Sequence, residues 1–232
     1  MVQGYEEAIK NGTKVKAIIV INPGNPTGAI FSRKSIETLF NFAFVKGLVV
    51  LADEVYQENI YTDKKEFVSF RKVLSQMPDD ISNSVELISF HSCSKGFLGE
   101  CGVRGGYAEM HNIDPKVVEV VKKQKTIYLC PNTVGQLMMD LKIKPPSVPG
   151  DSKATVEEYN LEVSALMGDL KQKALILETE LSSMKGVYCN PIEGAMYGFP
   201  RLDLPKKFCE EAAQLNRAAD AHYCMLGKFV LT

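Results

Sequence analysis

The chain has 232 residues, 45% of them apolar, and balances 27 basic against 28 acidic side chains for a formal charge of -1. That is apolar material enough for a core, and a near-neutral chain without charge runs lacks the electrostatic footprint of a nucleic-acid or anionic-membrane binder. No apolar run approaches the length of a membrane span, and the six cysteines (Cys93, Cys101, Cys130, Cys189, Cys209, Cys224) form no CxxC pair, so reduced, mostly buried thiols are expected rather than a zinc site or a disulfide framework.

The first residues, MVQGYEEAIKNG, read as the tail of a helix. They contain acidic residues and no apolar h-region, unlike a signal or transit peptide, and an opening inside a helix leads us to expect an incomplete chain. Residues 15–21 (VKAIIVI) form an apolar, largely β-branched run ended by Asn22 and Pro23, the pattern of a strand buried on both faces. Residues 31–46 follow as a helix, with Ser32 or Ser35 as cap and Ile36, Leu39, Phe40 and Ala43 on one face. Residues 48–52 are a second strand. Strand, helix and strand in this order predict a parallel βαβ unit with a right-handed crossover. Further strands are expected at 85–91 and 103–109, and helices at 115–125 and 132–140.

At 142–151 (KIKPPSVPGD) three prolines and a glycine signal a linker. Beyond it, apolar steps of three and four from Tyr159 to Met184 predict a long helix packed on a core, with Thr155 and Glu158 fitting a capping box. Gly186 ends it. Short strands at 187–190 and 195–199 and a helix at 206–215 complete the reading. The expected organisation is a large domain over 1–141, a linker over 142–152 and a small domain over 153–232, with the chain truncated at both ends.

Three loops collect at strand ends, where open α/β sheets bind ligands. In NPGNPTG (22–28), two prolines and two glycines fix the backbone and present Asn22 and Asn25; a simple tight turn is the competing reading. Asp53, in ADEVY, follows a buried strand directly. It either caps a helix, the commoner role, or supplies the carboxylate that a protonated ring nitrogen requires, with the Tyr56 phenol near the same ligand. In HSCSKGFLGECGVRGGY (91–107), Lys95 sits behind Ser92 and Ser94 and ahead of five glycines and Arg104. Most lysines are solvated surface charges, but small neighbours let a bulky ligand approach the backbone, and Arg104 offers a fork for phosphate.

These residues carry a resemblance. NPGNPTG, ADEVY and SCSKG, with Arg104 nine residues beyond the lysine, resemble the class I/II pyridoxal-phosphate-dependent aminotransferases of fold type I. INPGNPTG, LADEVYQENIY, SKGFLGECGVRGGY and CNPIEGAMYGFPR resemble the alanine aminotransferase branch more closely, together with its glutamate:glyoxylate relatives, from about Val15 to about Cys224. The resemblance implies an α/β fold, with a mostly parallel sheet flanked by helices and the start of a small α+β domain. It implies pyridoxal 5'-phosphate as cofactor and a ping-pong transfer of the amino group of L-alanine to 2-oxoglutarate. Lys95 would form the Schiff base and move the substrate proton, Asp53 would pair with the ring nitrogen, Tyr56 and Asn25 would bond the ring oxygen, and Ser92 and Arg104 would hold the phosphate. Amino-acid and 2-oxo-acid substrates, a homodimer in the full-length form, no nucleic acid, no membrane, no metal, and a cytoplasmic or mitochondrial location follow from it.

Departures from the family pattern bear on activity. The family supplies an N-terminal arm, a further phosphate loop and an aromatic residue stacked on the cofactor, and nothing before Val15 matches them. It also supplies an arginine for the substrate carboxylate, which neither Arg201 nor Arg217 matches. The alternatives are therefore an incomplete, inactive fragment that keeps the cofactor lysine, and a glutamate:glyoxylate aminotransferase. A lyase of the aminocyclopropane-carboxylate synthase type fits GECGVRGGY less well, and no GxGxxG follows the first strand as a Rossmann oxidoreductase would require.

Overall fold

Four consecutive β-branched residues, Ile18 to Ile21, suit a pleated strand far better than a helix, and they form β1 (Ala17–Ile21) behind a first helix, α1 (Val2–Lys10). The structure is a computed structural model and describes residues 1–227. Ser32 starts α2 (Arg33–Lys46) by accepting the Ser35 N–H at 3.2 Å, and Gly47, at φ 62°, closes it in the left-handed conformation that glycine adopts without strain. The chain then returns as β2 (Val49–Asp53), parallel to β1. Short helices α3 (Phe70–Leu74) and α4 (Asp79–Ser82) precede β3 (Leu87–Ser92), parallel to β2, and β4 (Gly106–His111) runs antiparallel on the far edge. The sheet order is β1-β2-β3-β4, a mostly parallel sheet as expected.

One face of this sheet is the core. Val20, Val50, Ala52 and Leu87 pack against Ile36, Leu39, Phe40 and Ala43 of α2 and against Phe70, Val73 and Leu74 of α3. Phe40 and Phe70 meet edge to face with centroids 5.7 Å apart. The other face departs from the expectation of strands buried on both sides: Ile19 is 70% exposed and Phe90 36%. Helices α2 to α4 all lie on one side, so the alternate residues of each strand look outward.

After β4 come α5 (Pro115–Thr126) and α6 (Thr133–Ile143), the latter extending into the first two residues of the proline-rich stretch. Next come α7 (Lys153–Ser183), β5 (Val187–Tyr188), β6 (Arg201–Leu202), α8 (Lys206–Gln214) and α9 (Ala219–Gly227). Residues 228–232 of the expected small domain lie outside the described residues.

Four local expectations are corrected. The cap of α7 is Ser152, whose hydroxyl accepts from Thr155 N–H at 3.1 Å, rather than a Thr155–Glu158 box. The α7 stripe is not packed on a full core, because α7 has no fully buried residue; the two-stranded β5–β6 sheet is too small to cover it. Residues 195–199 form no strand, since segment 193–195 instead pairs back to residues 59–61, with an Ile60–Gly194 bridge and Tyr61 N–H donating to Glu193 O at 2.8 Å. The thiols are all free, but only Cys93 is buried, the others lying on loops and outward helix faces. Among the described residues no helix is long and apolar enough to cross a membrane.

Candidate functional site

The three parallel strands end at one edge. Ile21 pairs with Asp53, Asp53 pairs with Phe90, and the Asn22 N–H donates to Asp53 O at 2.9 Å, so the NPGNPTG loop, Asp53 and the Lys95 loop leave the sheet side by side. Asn22 is buried, with its Oδ1 accepting from Phe31 N–H at 3.0 Å, and it organises the first loop from within. Asn25, by contrast, lies exposed in that loop and makes no hydrogen bond to the other candidate residues among those described.

Asp53 ends β2 half-buried on the uncovered face and accepts from Val55 N–H at 3.3 Å. Its neighbour Glu54 points the opposite way into the core, as alternation in a strand requires. There Glu54 Oε1 accepts from Phe70 N–H at 2.9 Å, and burial pushes its carboxyl up to about 7. Tyr56 is 2% exposed, and its hydroxyl bonds that of Tyr197 at 2.7 Å. Burial first, then this hydrogen bond, holds the Tyr56 phenol well above its ordinary range, so it keeps its proton at every physiological pH. Tyr197 lies in the GAMYGFP phrase, where no local sequence signal marks it as a site residue. The pairing of 193–195 with 59–61 brings it here across a large sequence separation, which periodicity cannot reveal.

The Lys95 loop is bound tightly to its own flank. Cys93 N–H donates to Gly105 O at 3.1 Å, Ser92 Oγ donates to the same carbonyl at 3.3 Å, and Gly105 N–H donates to Cys93 Sγ at 3.1 Å. Ser92 Oγ also accepts from Ser94 N–H at 3.0 Å. These bonds bring Ser92, Lys95 and the Arg104–Gly106 segment together. Arg104 is exposed, at φ 57° in the left-handed region that a non-glycine residue enters only under constraint, and its Nη1 donates to Cys101 O at 3.0 Å. Among the described residues Lys95 Nζ takes no hydrogen bond or ion pair, and it lies 6.0 Å from the centroid of the Tyr56 ring.

Two groups that sequence reasoning missed lie behind the loop. His91 is buried, and burial, followed by the charge of Lys142, depresses its basicity so that it stays neutral near pH 7. Lys142, placed by sequence in a linker, has a side chain only 7% exposed and reaches the Lys95 carbonyl at 2.6 Å. No composition signal marks it, because its burial depends on where α6 docks.

On the uncovered face, an open cavity of about 820 Å³ runs along the sheet and is lined at its chemical end by Asp53, His91, Ser92 and Gly106. The donor set on this edge is a carboxylate, a hydroxyl, an unpaired amine, a proton-bearing phenol and a guanidinium. No group of three or more His, Cys, Asp or Glu among the described residues could hold a metal ion.

Comparison with known proteins points the same way. The family model for "Aminotransferase class I and II" matches residues 1–223. A probable mitochondrial alanine aminotransferase of Dictyostelium discoideum is 44% identical over 222 residues, covering 95% of this chain and 41% of that protein. Glutamate–glyoxylate aminotransferase 2 of Arabidopsis thaliana is 43% identical over 223 residues, covering 96% of this chain and 46% of its own. Among solved structures, the alanine aminotransferase of Pyrococcus furiosus superposes with a TM-score of 0.65 at 27% identity, over 86% of this chain and 46% of that one. The chain thus spans less than half the length of the curated relatives it matches.

Proposed function

The chain belongs to the class I and II aminotransferases, and from that premise we propose that it serves pyridoxal-phosphate-dependent transamination, moving the amino group of L-alanine to 2-oxoglutarate to give pyruvate and glutamate. The observation that carries this reading is the unpaired Lys95 amine beside Tyr56, on the same sheet edge where Asp53 ends β2. When bound, pyridoxal phosphate supplies a carbonyl that reacts with amines and a protonated ring that accepts the electron pair left at the substrate Cα.

The residues have distinct tasks in this reading. Lys95 Nζ would hold the cofactor through its carbonyl group and would take the proton from the substrate Cα and return it, as a general base and acid. The Asp53 carboxylate holds the proton on the ring nitrogen. Tyr56, which keeps its phenolic proton, donates a hydrogen bond to the ring oxygen while Tyr197 orients it. Ser92 Oγ and the Arg104 guanidinium would hold the phosphate. Asn25, exposed in its loop, would be the second partner of the ring oxygen.

A second reading, glutamate:glyoxylate transamination, is favoured by the near-equal identity of the Arabidopsis relative. The proposed assembly is a homodimer. The proposed compartment is cytoplasmic or mitochondrial, the latter matching the Dictyostelium relative's name.

Borohydride reduction of the purified protein with pyridoxal phosphate should fix the cofactor on the peptide containing Lys95. Lys95→Ala should reduce incorporation to the background of surface lysines. Alanine, and separately glutamate with glyoxylate, should shift the cofactor absorbance and so rank the two readings. Fixation scattered over many lysines in the parent protein would refute the site. Fixation on Lys95 without a shift by either donor would mean that this chain holds the cofactor without turnover.

A further inference from the structure

Helix α6 meets the Lys95 loop at two points on one of its faces. At Gly135 the helix backbone comes so close that an added Cβ would lie 3.0 Å from Arg104 O and from Gly105 Cα. Seven residues on, two turns along the same face, Lys142 sends its side chain under the loop, and Met139 between them is buried. An ammonium has three donors and no acceptor. Two carbonyls accept from this one, Lys95 O at 2.6 Å and Ser92 O at 3.4 Å, and Glu58 Oε2 forms an ion pair with it at 3.0 Å. The side chain is 7% exposed, so its charge is nearly removed from water and depends on these partners. Gly96, at φ +91°, sits where the ammonium passes, and a Cβ there would lie 2.6 Å from Lys142 Nζ. A side chain at this position would displace the ammonium, and the positive φ favours glycine on its own account.

The two bonded carbonyls belong to Ser92 and Lys95, the ends of the turn that carries the reactive amine. A charged donor bonds a carbonyl more strongly than a neutral one, and this donor is itself fixed to a helix. We infer that Lys142 is the positioning residue of Lys95: drawn in by Glu58, its ammonium ties the Ser92 and Lys95 carbonyls to α6 and so holds the Lys95 side chain toward Tyr56. The inference rests on the cofactor reading above, since the outcome it controls is the reactivity of Lys95 toward a carbonyl compound.

The test uses the double variant Lys142→Met/Glu58→Gln, which removes the cation without leaving Glu58 as an unpaired, partly buried charge. Melting temperature and the rate of borohydride fixation of pyridoxal phosphate on Lys95, relative to surface lysines, are measured together. The expected result is a cooperative melt near the parent's, with the relative rate at Lys95 down by about tenfold or more, as loss of charged hydrogen bonds implies. A purely structural Lys142 would move the melt and leave the relative rate of Lys95 unchanged, which overturns the inference. If the parent itself shows no preference for Lys95, the cofactor reading falls, a different outcome from an unchanged variant.

Should the double variant fail to fold, timed acetylation of the parent decides. Lys142 is expected to lag far behind Lys144 and Lys153, whose side chains are 76% and 87% exposed. Acetylation of Lys142 at their rate overturns the inference.

Discussion

As pH rises from about 4.5 to about 7 the folded chain is expected to lose stability, and Glu54→Gln is expected to remove that loss. Glu54 is buried beneath the sheet. Desolvation, the largest effect, raises its carboxyl to about 7; the bond from Phe70 N–H and the nearby Ser89 hydroxyl lower it, and the nearby charges of Glu109 and Asp53 raise it further. Below the unfolded value both states hold the proton and nothing is lost. Between the two values the unfolded chain releases its proton while the folded chain keeps it, so each pH step favours unfolding, and above the folded value the curve flattens. The full penalty is roughly 3 kcal/mol, since a pKa unit is worth about 1.4 kcal/mol. Glutamine keeps an oxygen for Phe70 N–H and carries no proton equilibrium. Urea unfolding of parent and variant at pH 5 and pH 8 measures the effect, and a variant with the parent's full pH slope would show that Glu54 does not titrate across this window.

Phe70→Ala is expected to lower stability by roughly 3–5 kcal/mol, the cost of truncating a fully buried aromatic side chain. Phe70 is 0% exposed, meets Phe40 at 5.7 Å and Phe31 at 6.1 Å, and begins the helix whose first N–H binds Glu54. It therefore joins the sheet core to the strand that ends in Asp53. Phe70→Leu should cost much less because it refills most of the space. Phe40→Ala combined with Phe70→Ala should fall short of additivity, because the two rings share one cavity. Denaturation midpoints at constant slope report all three, and a loss under about 1 kcal/mol for Phe70→Ala, a value typical of surface changes, would contradict the packing.

What could be read from sequence was local. The run Ile18 to Ile21, the Ser32 cap and the Ile36, Leu39, Phe40 and Ala43 stripe each declare themselves within a few residues, and they yield the βαβ unit that aligns the three loops. The positions of Asp53 and Ser92 at the sheet edge were legible because each ends a strand, and that of Lys95 because it follows three residues later. What was not legible depends on docking. A lysine in KIKPP looks solvated until α6 lies against the loop, and Tyr197 meets Tyr56 only because residues 193–195 pair with 59–61. The expectation of two buried faces failed for the same reason: β-branched runs report a strand, whereas the side on which α2 to α4 settle decides which residues leave water.

That one-sided sheet has a calorimetric consequence. The heat capacity of unfolding grows with the apolar surface that unfolding newly exposes. Ile19 and Phe90 are wet already in the folded chain, as are Leu161, Leu175 and Ile176 along α7. The increment per residue is therefore expected to fall below the usual value of about 12–15 cal/mol/K, giving a flatter curve of stability against temperature. Scanning calorimetry on this chain reads it directly, and an increment at the usual value would mean that these side chains are covered in solution.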